Sequence, residues 1–179
     1  MALRPTIYKA TIALSDTDRG LYDSLQLTLA QHPSETVERM MVRLLAYCFN
    51  AREGLMFCKG VSDSDEADLW AHELDGTLAL WIDVGEPAVD RIRKARRTAR
   101  AVSVYSFNSK SPVWWAQNRD RFGALDVAVY RFDWPRVQAL AAMATRNMDL
   151  SVTIAGGSAY VATQAGEVEL RAEPLQVPD

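Results

Sequence analysis

The pattern of apolar and polar positions predicts a strand at the centre of the chain. Residues 78–82 are all apolar, which is typical of a strand covered on both faces within a sheet. Asp83 ends this run, and Gly85 and Pro87 predict a turn into a helix over residues 87–100. An ionised carboxylate at the end of a buried strand is costly unless it is paired, hydrogen-bonded or bound to a metal. The sequence therefore predicts a partner for Asp83.

The sequence predicts two antiparallel hairpins, one on each side of a long helix. The first hairpin joins residues 6–14 to residues 24–30. The second joins residues 70–74 to residues 78–83 through Asp75-Gly76, a dipeptide that two-residue hairpin turns favour. Between them, apolar residues at helical spacing over residues 37–51 predict a helix that lies on the core.

This first helix is expected to be capped by His32 or Ser34. Further apolar runs predict strands at residues 55–61, 102–107, 126–132, 150–154 and 160–162, with another edge at 168–172, and helices after Pro112 and over residues 135–148. The alternation of strands and helices from residue 78 to residue 148 favours an α/β (α+β) fold, with a mixed β-sheet flanked by helices and additional antiparallel hairpins.

Composition predicts one domain over residues 1–179, because 179 residues with 49% hydrophobic content suffice for one core. The net charge of −3 means that any nucleic-acid site must be a local basic patch. We expect a cytoplasmic protein without membrane contact, because the two cysteines lie in apolar patterns and no signal peptide or bilayer-length apolar run is present. The sequence gives no basis for predicting the oligomeric state.

The helix after Asp83 has a basic surface. Its cations are Arg91, Arg93, Lys94, Arg96, Arg97 and Arg100. Either Arg91 or Lys94 could pair with Asp83 and close the turn. The remaining cations form either an ordinary solvated face or a surface that contacts nucleic-acid phosphates.

Five motifs in order resemble the YaeQ family of small bacterial proteins. They are ALRPTIYKATIALSD, HPSETVERMMVRLLAY, LWIDVGEP followed by RIRKA, YSFNS and WWAQN. The resemblance covers essentially the whole chain. It implies the fold of the PD-(D/E)XK nuclease superfamily, in which acids and a lysine at a mixed sheet bind a divalent metal.

The superfamily pattern fits this chain in part. Asp83 matches the (D/E) position, but Gly85 stands where the motif has lysine, so Lys94 on the next helix is the implied substitute. The resemblance implies a further acid before the preceding strand, for which Asp68 is the first candidate and Glu66 the reserve. An active site of this kind would use Mg²⁺ or Mn²⁺ as its cofactor.

The resemblance also implies a glutamate on the first core helix, either Glu38 or Glu35, with Glu38 preferred because it borders the apolar stripe. Arg39 directly follows Glu38, Trp70 lies two residues after Asp68, and both complete the candidate set.

Two polar residues outside the acidic set are candidates for contacts with DNA or RNA. Asn108 ends a predicted strand, where open α/β sheets often bind ligands, although it also suits a turn. Gln117 belongs to the WWAQN motif. The adjacent Trp114 and Trp115 could stack on bases, but their roughly 100° separation on a helix favours at least one core position.

Two functions follow from these observations. The first is a divalent-metal-dependent nuclease with Asp83, Asp68 and Glu38 as metal ligands and Lys94 as the cationic partner. The alternative is a non-catalytic nucleic-acid-binding or regulatory protein that retains the nuclease fold, which the absence of lysine at Gly85 favours.

Overall fold

In a computed structural model, which describes residues 4–58 and 65–179, the chain folds into two compact units. Unit 1 comprises Met1–Phe49 and Asp133–Ala172, and unit 2 comprises Asn50–Phe132 and Glu173–Asp179. Each unit has its own mixed sheet, so the predicted class is confirmed as a mixed α+β fold with two sheets rather than one. The single domain over residues 1–179 stays a prediction.

The described helices and strands follow one another in the order below. They are β1 (Thr6–Asp16), β2 (Leu21–Gln31), α1 (Val37–Asn50), β3 (Leu55–Phe57), β4 (Leu69–His72), β5 (Leu78–Val84), α2 (Val89–Thr98), β6 (Ala101–Ser106), α3 (Ser111–Gly123), β7 (Ala128–Arg131), α4 (Trp134–Ala142), β8 (Asn147–Ala155), β9 (Ser158–Thr163), β10 (Gly166–Arg171) and β11 (Glu173–Gln176). Within this described part, no helix combines the length and the apolar character that crossing a bilayer requires.

The sheet of unit 1 has the strand order β10-β9-β8-β1-β2. The predicted first hairpin is confirmed, because β1 and β2 pair in antiparallel register from Thr6 opposite Gln31 to Asp16 opposite Leu21. β1 also pairs with β8 in parallel, and β8, β9 and β10 continue as antiparallel neighbours. The predicted edge strand near residues 168–172 is confirmed as β10.

The predicted burial of α1 is confirmed, but its predicted cap is wrong. Its apolar stripe is completely buried at Met40, Met41, Leu44, Leu45 and Cys48. The cap is Thr36, whose Oγ1 accepts a hydrogen bond from the backbone N–H of Arg39 at 3.1 Å. His32 and Ser34 instead form the preceding turn, in which the Glu35 N–H donates to the His32 carbonyl at 2.8 Å.

The helix predicted over residues 135–148 is too long at its C-terminal end. The observed helix, α4, ends at Ala142, and β8 begins at Asn147. Met148, which fits the helical spacing, is a buried residue of the strand and lies opposite Ala10 of β1. The strand partner is far away in sequence, so local periodicity could not identify it.

The sheet of unit 2 has the strand order β11-β7-β6-β5-β4-β3 and places the central strand as predicted. All seven residues of β5 are buried. β4 pairs with β5 in antiparallel register, which confirms the second hairpin, whereas β5, β6 and β7 run parallel. Of the strand predicted over residues 55–61, β3 covers the first three residues, and residues 59–61 lie outside the described residues.

Helices α2 and α3 connect the parallel strands of unit 2 and cover one face of its sheet. Their apolar side chains share a core with alternate residues of β5, β6 and β7, including Trp81, Ile92, Val104, Phe122 and Val129. Asp83 lies on the same face as Trp81, because side chains two apart on a strand point the same way. The packing of α2 therefore places its first turn beside the end of β5.

Candidate acidic site at the end of β5

Asp83 is a buried carboxylate, 2% exposed, and Arg91 in the first turn of α2 is its cationic partner. Arg91 Nε donates to Asp83 Oδ2 at 2.7 Å, and Arg91 Nη2 donates to Oδ1 at 3.3 Å. The same Nη2 donates to the backbone carbonyl of Glu66 at 2.7 Å. The sequence left Arg91 and Lys94 as alternative partners of Asp83, and the structure places Arg91 in contact with it.

The structure also brings Asp68 next to Asp83. Asp68 immediately precedes β4, and its backbone N–H donates to the carbonyl of Ile82 at 3.1 Å and to Asp83 Oδ1 at 3.3 Å. In return, Asp68 Oδ2 accepts a hydrogen bond from the Val84 N–H at 2.8 Å. The antiparallel pairing of β4 with β5 thus joins two acids that are separated by fifteen residues in sequence.

The charges around Asp83 are incompletely balanced. Burial raises the pKa of its carboxyl group above the ordinary 3.8, because a buried carboxylate loses its hydration. Hydrogen bonding to Arg91 acts in the opposite direction, and the nearby Asp68 carboxylate adds to the increase. A further positive charge at this position would therefore stabilise the ionised form of Asp83.

Asp68 and Asp83 are the two carboxylates at this position that could hold a divalent cation. Among residues 4–58 and 65–179, no three or more His, Cys, Asp or Glu side chains are grouped to hold a metal ion. Mg²⁺, however, is commonly held by one or two carboxylates together with waters and substrate phosphates. Asp83 Oδ1 accepts two long hydrogen bonds, both at 3.3 Å, whereas Oδ2 accepts the 2.7 Å bond from Arg91 Nε, so Oδ1 is better able to accept another ligand.

Tryptophan side chains border the acidic site. The guanidinium carbon of Arg91 lies 5.5 Å from the ring centre of Trp81, and Trp81 is 5% exposed. Trp70 on β4 makes an edge contact with Trp81, with ring centres 6.0 Å apart. Trp70 is therefore part of the wall beside the acids and is half-buried.

The ion-pair partner observed for Lys94 is Asp65 and not Asp83. Lys94 Nζ is 3.3 Å from Asp65 Oδ1, and both side chains are largely exposed. The sequence-based expectation that Lys94 reaches back to Asp83 differs from the observed geometry, because Arg91 is one turn closer to the strand end and occupies that position.

Ion pairs neutralise much of the basic surface of α2. Arg93 pairs with Asp90, and Arg96 Nη2 is 3.3 Å from Asp126 Oδ2. Arg97 is exposed. This arrangement is typical of a solvated helix face, and phosphate contacts by Arg93 and Arg97 stay a prediction.

The two glutamates predicted on α1 belong to unit 1 and differ from each other. Glu35 precedes the helix and is 6% exposed. Its Oε1 accepts from Arg43 Nη2 at 2.6 Å, and its Oε2 accepts from Arg43 Nε at 2.8 Å and Arg39 Nη1 at 2.5 Å. Glu35 and Arg39 therefore form a structural ion cluster. Glu38 is half-buried on α1, and its role as a metal ligand stays a prediction.

Sequence reasoning missed a hydrogen-bonded chain at the carboxyl ends of β5, β6 and β7. Glu86 Oε1 accepts from the Asn108 side-chain amide at 2.6 Å, and Oε2 accepts from the Ser106 hydroxyl at 2.7 Å. Because an ionised carboxylate only accepts, the adjacent Ser111 hydroxyl must donate to Ser106, and it accepts from Arg131 Nε at 2.9 Å. The Asn108 side chain is therefore a hydrogen-bond donor to the Glu86 carboxylate. The only sequence signal was that these residues lie at strand ends.

The tryptophans of α3 pack against the core. Trp114 and Trp115 contact Phe122, with ring centres 5.3 Å and 5.8 Å from it, and Trp114 Nε1 donates to the Pro87 carbonyl at 3.1 Å. These contacts favour the core interpretation over base stacking. Gln117 is exposed on the same helix.

Comparison with known sequences gives relatives along essentially the whole chain. The family model "YaeQ protein" matches residues 1–172. Proteins described as "Uncharacterized protein YaeQ" from Escherichia coli (strain K12) and Salmonella typhi are each 37% identical over 180 residues, which cover 99% of both chains in each comparison.

Solved structures show the same similarity. The crystal structure of YaeQ protein from Xanthomonas axonopodis pv. citri superposes with a TM-score of 0.93 and 38% identity, covering 97% of this chain and 99% of that one. The YaeQ protein from Pseudomonas syringae gives a TM-score of 0.91 and 36% identity, covering 96% of each chain. With sequence and structure in agreement over this length, the chain belongs to the YaeQ family.

Proposed function

We propose that this protein is a divalent-metal-dependent nuclease of the PD-(D/E)XK type that hydrolyses phosphodiesters in DNA or RNA. The main support is the adjacency of Asp68 and Asp83 at the end of β5, with Arg91 in contact with Asp83. Two close carboxylates favour a bound cation, because each disfavours the ionised form of the other. The positions of both acids agree with the superfamily pattern that the sequence resembles.

Each of these residues has a distinct part in the proposed reaction. Asp68 and Asp83 would hold Mg²⁺ or Mn²⁺ through carboxylate oxygens, including Asp83 Oδ1, whose hydrogen bonds are long. When bound, such an ion activates a water molecule and neutralises charge on the phosphate. Arg91 supplies a fixed positive charge beside the reacting phosphate and stabilises the negative charge that develops there. This assigns to Arg91 the role that sequence reasoning gave to Lys94.

A second candidate function is non-catalytic nucleic-acid binding. It is favoured by the contact of Arg91 with both oxygens of Asp83, which satisfies the carboxylate without any metal. In this case the exposed Arg97 contributes a phosphate contact, and binding weakens steeply as salt is added.

Calorimetric titration of Mn²⁺ into the purified protein separates the two functions. We expect saturable binding by the wild type and at least a tenfold loss of affinity, ~1.4 kcal/mol, in both Asp68→Asn and Asp83→Asn. Asp90→Asn is the matched control, because Asp90 is an exposed acid in the first turn of α2 that pairs only with arginines in the described structure. Its affinity for Mn²⁺ should equal that of the wild type.

A nuclease assay then tests the role of the cations. Cleavage of single- and double-stranded DNA and RNA in Mn²⁺ should fall about a hundredfold in Arg91→Met and remain within about twofold in Lys94→Met. Absence of Mn²⁺ binding and of cleavage, together with salt-sensitive nucleic-acid binding, would rule out the nuclease and favour the second candidate.

A further inference from the structure

β2 is a long edge strand of the sheet in unit 1, where β1 is its strand partner. It is eleven residues long, and its pairing with β1 continues without a bulge along the whole strand. In the part of the chain that the structure describes, no helix or further strand lies along its outer side. A long, regular edge of this kind is a template for pairing with another chain, so natural proteins usually shorten, bend, charge or cover such edges.

The other three sheet edges of the described structure have this protection. β3 is three residues long, and β11 is four residues long, contains Pro174 and pairs in an irregular register. β10 is six residues long and has charged side chains at Glu167, Glu169 and Arg171. β2 contains no lysine, arginine or proline, and its single charge is at Asp23. The β2 edge therefore differs from the others in a way that favours strand pairing.

The backbone groups of β2 that are available for pairing are centred on Gln26 and Thr28. The N–H of Lys9, which lies opposite Thr28, donates to the Arg146 carbonyl at 2.8 Å and therefore points away from β2. Because hydrogen-bonded and non-hydrogen-bonded pairs alternate in antiparallel strands, Thr28 and Gln26 direct their N–H and C=O groups outward. Within the described residues, no hydrogen bond uses these outward groups.

Side chains cap one backbone group near each end of this section. The Ser24 N–H donates to Asp23 Oδ1 at 2.8 Å, and the Ala30 carbonyl accepts from Arg43 Nη2 at 3.1 Å. A pairing strand leaves both caps in place when its own capped groups lie opposite these. An antiparallel copy of β2 meets this condition, with Ser24 opposite Ala30 of the second copy.

We propose that β2 pairs with β2 of a second copy of this chain, in antiparallel register about a two-fold axis at Leu27. In this register Gln26 lies opposite Thr28 of the second copy, and each such pair exchanges two main-chain hydrogen bonds. The pairing joins the two copies of the unit 1 sheet into one continuous sheet. The inference is independent of the proposed nuclease function, because it involves none of the residues of the acidic site.

The side chains of β2 are complementary to themselves in this register. Leu25 lies opposite Leu29 of the second copy, and the two Leu27 side chains lie opposite each other. Leu25 is half-buried in the single chain, so it has apolar surface left to cover. Asp23 lies opposite the uncharged Gln31, whereas a shift by two residues would place its carboxylate opposite Leu29. These pairs favour a second copy over an unrelated strand.

Sedimentation velocity of the full-length, metal-free protein from about 1 to about 100 µM tests the inference. We expect a species of twice the 20.0 kDa of one chain. The double variant Gln26→Lys/Thr28→Lys places lysines directly opposite one another across the two-fold axis and should weaken the dimer at least about tenfold. The control is Thr11→Lys/Ala13→Lys, which adds the same charges at exposed positions on the same sheet face of β1 and should leave the dimer unchanged.

Hydrogen exchange of the wild-type protein, measured by nuclear magnetic resonance, gives a second readout that needs no variant. The Gln26 and Thr28 amides should become more protected as the protein concentration rises, because they form hydrogen bonds only in the dimer. A protein that is monomeric at all concentrations would overturn the inference. A dimer that both lysine variants weaken equally, or in which these two amides exchange freely, would also overturn it, because the contact would then lie elsewhere.

Discussion

Two buried carboxylates, one in each unit, have opposite charge surroundings. Glu35 in unit 1 is held by two arginines, Arg39 and Arg43, through contacts of 2.5 to 2.8 Å. Asp83 in unit 2 has one arginine, Arg91, and a second carboxylate beside it. Glu35 is therefore paired with two cations, whereas Asp83 is paired with one cation and lies beside another acid.

This difference separates a structural ion cluster from a candidate functional site. Both oxygens of Glu35 are occupied by short, charge-assisted hydrogen bonds, so the carboxylate has little capacity left for a ligand. Asp83 combines a raised pKa with an oxygen, Oδ1, whose hydrogen bonds from Asp68 and Arg91 are long, both at 3.3 Å. Incomplete compensation of a buried charge is more common at binding and catalytic sites than in the rest of a protein.

The largest expected effect is the loss of stability in Glu35→Gln. The substitution removes the charge that pairs with the buried Arg43 and the half-buried Arg39, and we expect unfolding to become easier by about 3 kcal/mol. Urea unfolding followed by circular dichroism measures this change. Glu38→Gln, at a half-buried position three residues away, is the control and should change stability by less than about 0.5 kcal/mol. Equal effects of the two substitutions would contradict a structural role for the Glu35 ion cluster.

Asp83→Asn should have a smaller effect, and that effect should depend on pH. We expect a cost below about 1 kcal/mol at pH 7, because the neutral amide avoids the desolvation of a buried carboxylate. The pKa of Asp83 is raised in the folded state, so folding favours its protonated form. The stability that this group contributes is therefore fully present below its ordinary pKa of 3.8 and is lost as the pH rises through the raised value.

The difference in unfolding free energy between Asp83→Asn and the wild type, measured by urea unfolding from pH 3 to pH 8, tests this sign. The variant should gain stability relative to the wild type as the pH rises, by ~1.4 kcal/mol for each unit by which the pKa is raised. A difference that is constant over this range, or that grows in favour of the wild type, would contradict the incomplete compensation of Asp83.

The smallest expected effect concerns the reactivity of Cys48 in unit 1. Burial raises the pKa of its thiol to about 12, so almost none of it is thiolate at pH 8. In a Cys58→Ala variant, which leaves Cys48 as the single thiol, an aromatic disulfide reagent should react only after urea is added. Rapid labelling of the folded variant at pH 8 would show that the interior of unit 1 is more open than the structure indicates.

The fully apolar run over residues 78–82, bounded by the Asp75-Gly76 turn and by Gly85 and Pro87, indicated the central strand, because such a run is typical of a strand buried on both faces. Periodicity likewise determined α1 and α2, and the Asp75-Gly76 turn determined the β4–β5 hairpin. The recognition of Asp83 as a buried acid that needs a partner came from the same pattern. These properties are local, so they could be predicted directly from the sequence.

Tertiary structure decided which residues meet at Asp83 and Glu86. Asp68 reaches Asp83 only through the register of two antiparallel strands, and Arg91 rather than Lys94 reaches it because of the position at which α2 begins. The Ser106 hydroxyl reaches Glu86, and the Ser111 hydroxyl reaches Ser106, because parallel strands end at one edge of the sheet. Hydrophobic periodicity specifies where side chains are buried, whereas contacts between residues distant in sequence depend on strand register and helix packing, which no short segment encodes by itself.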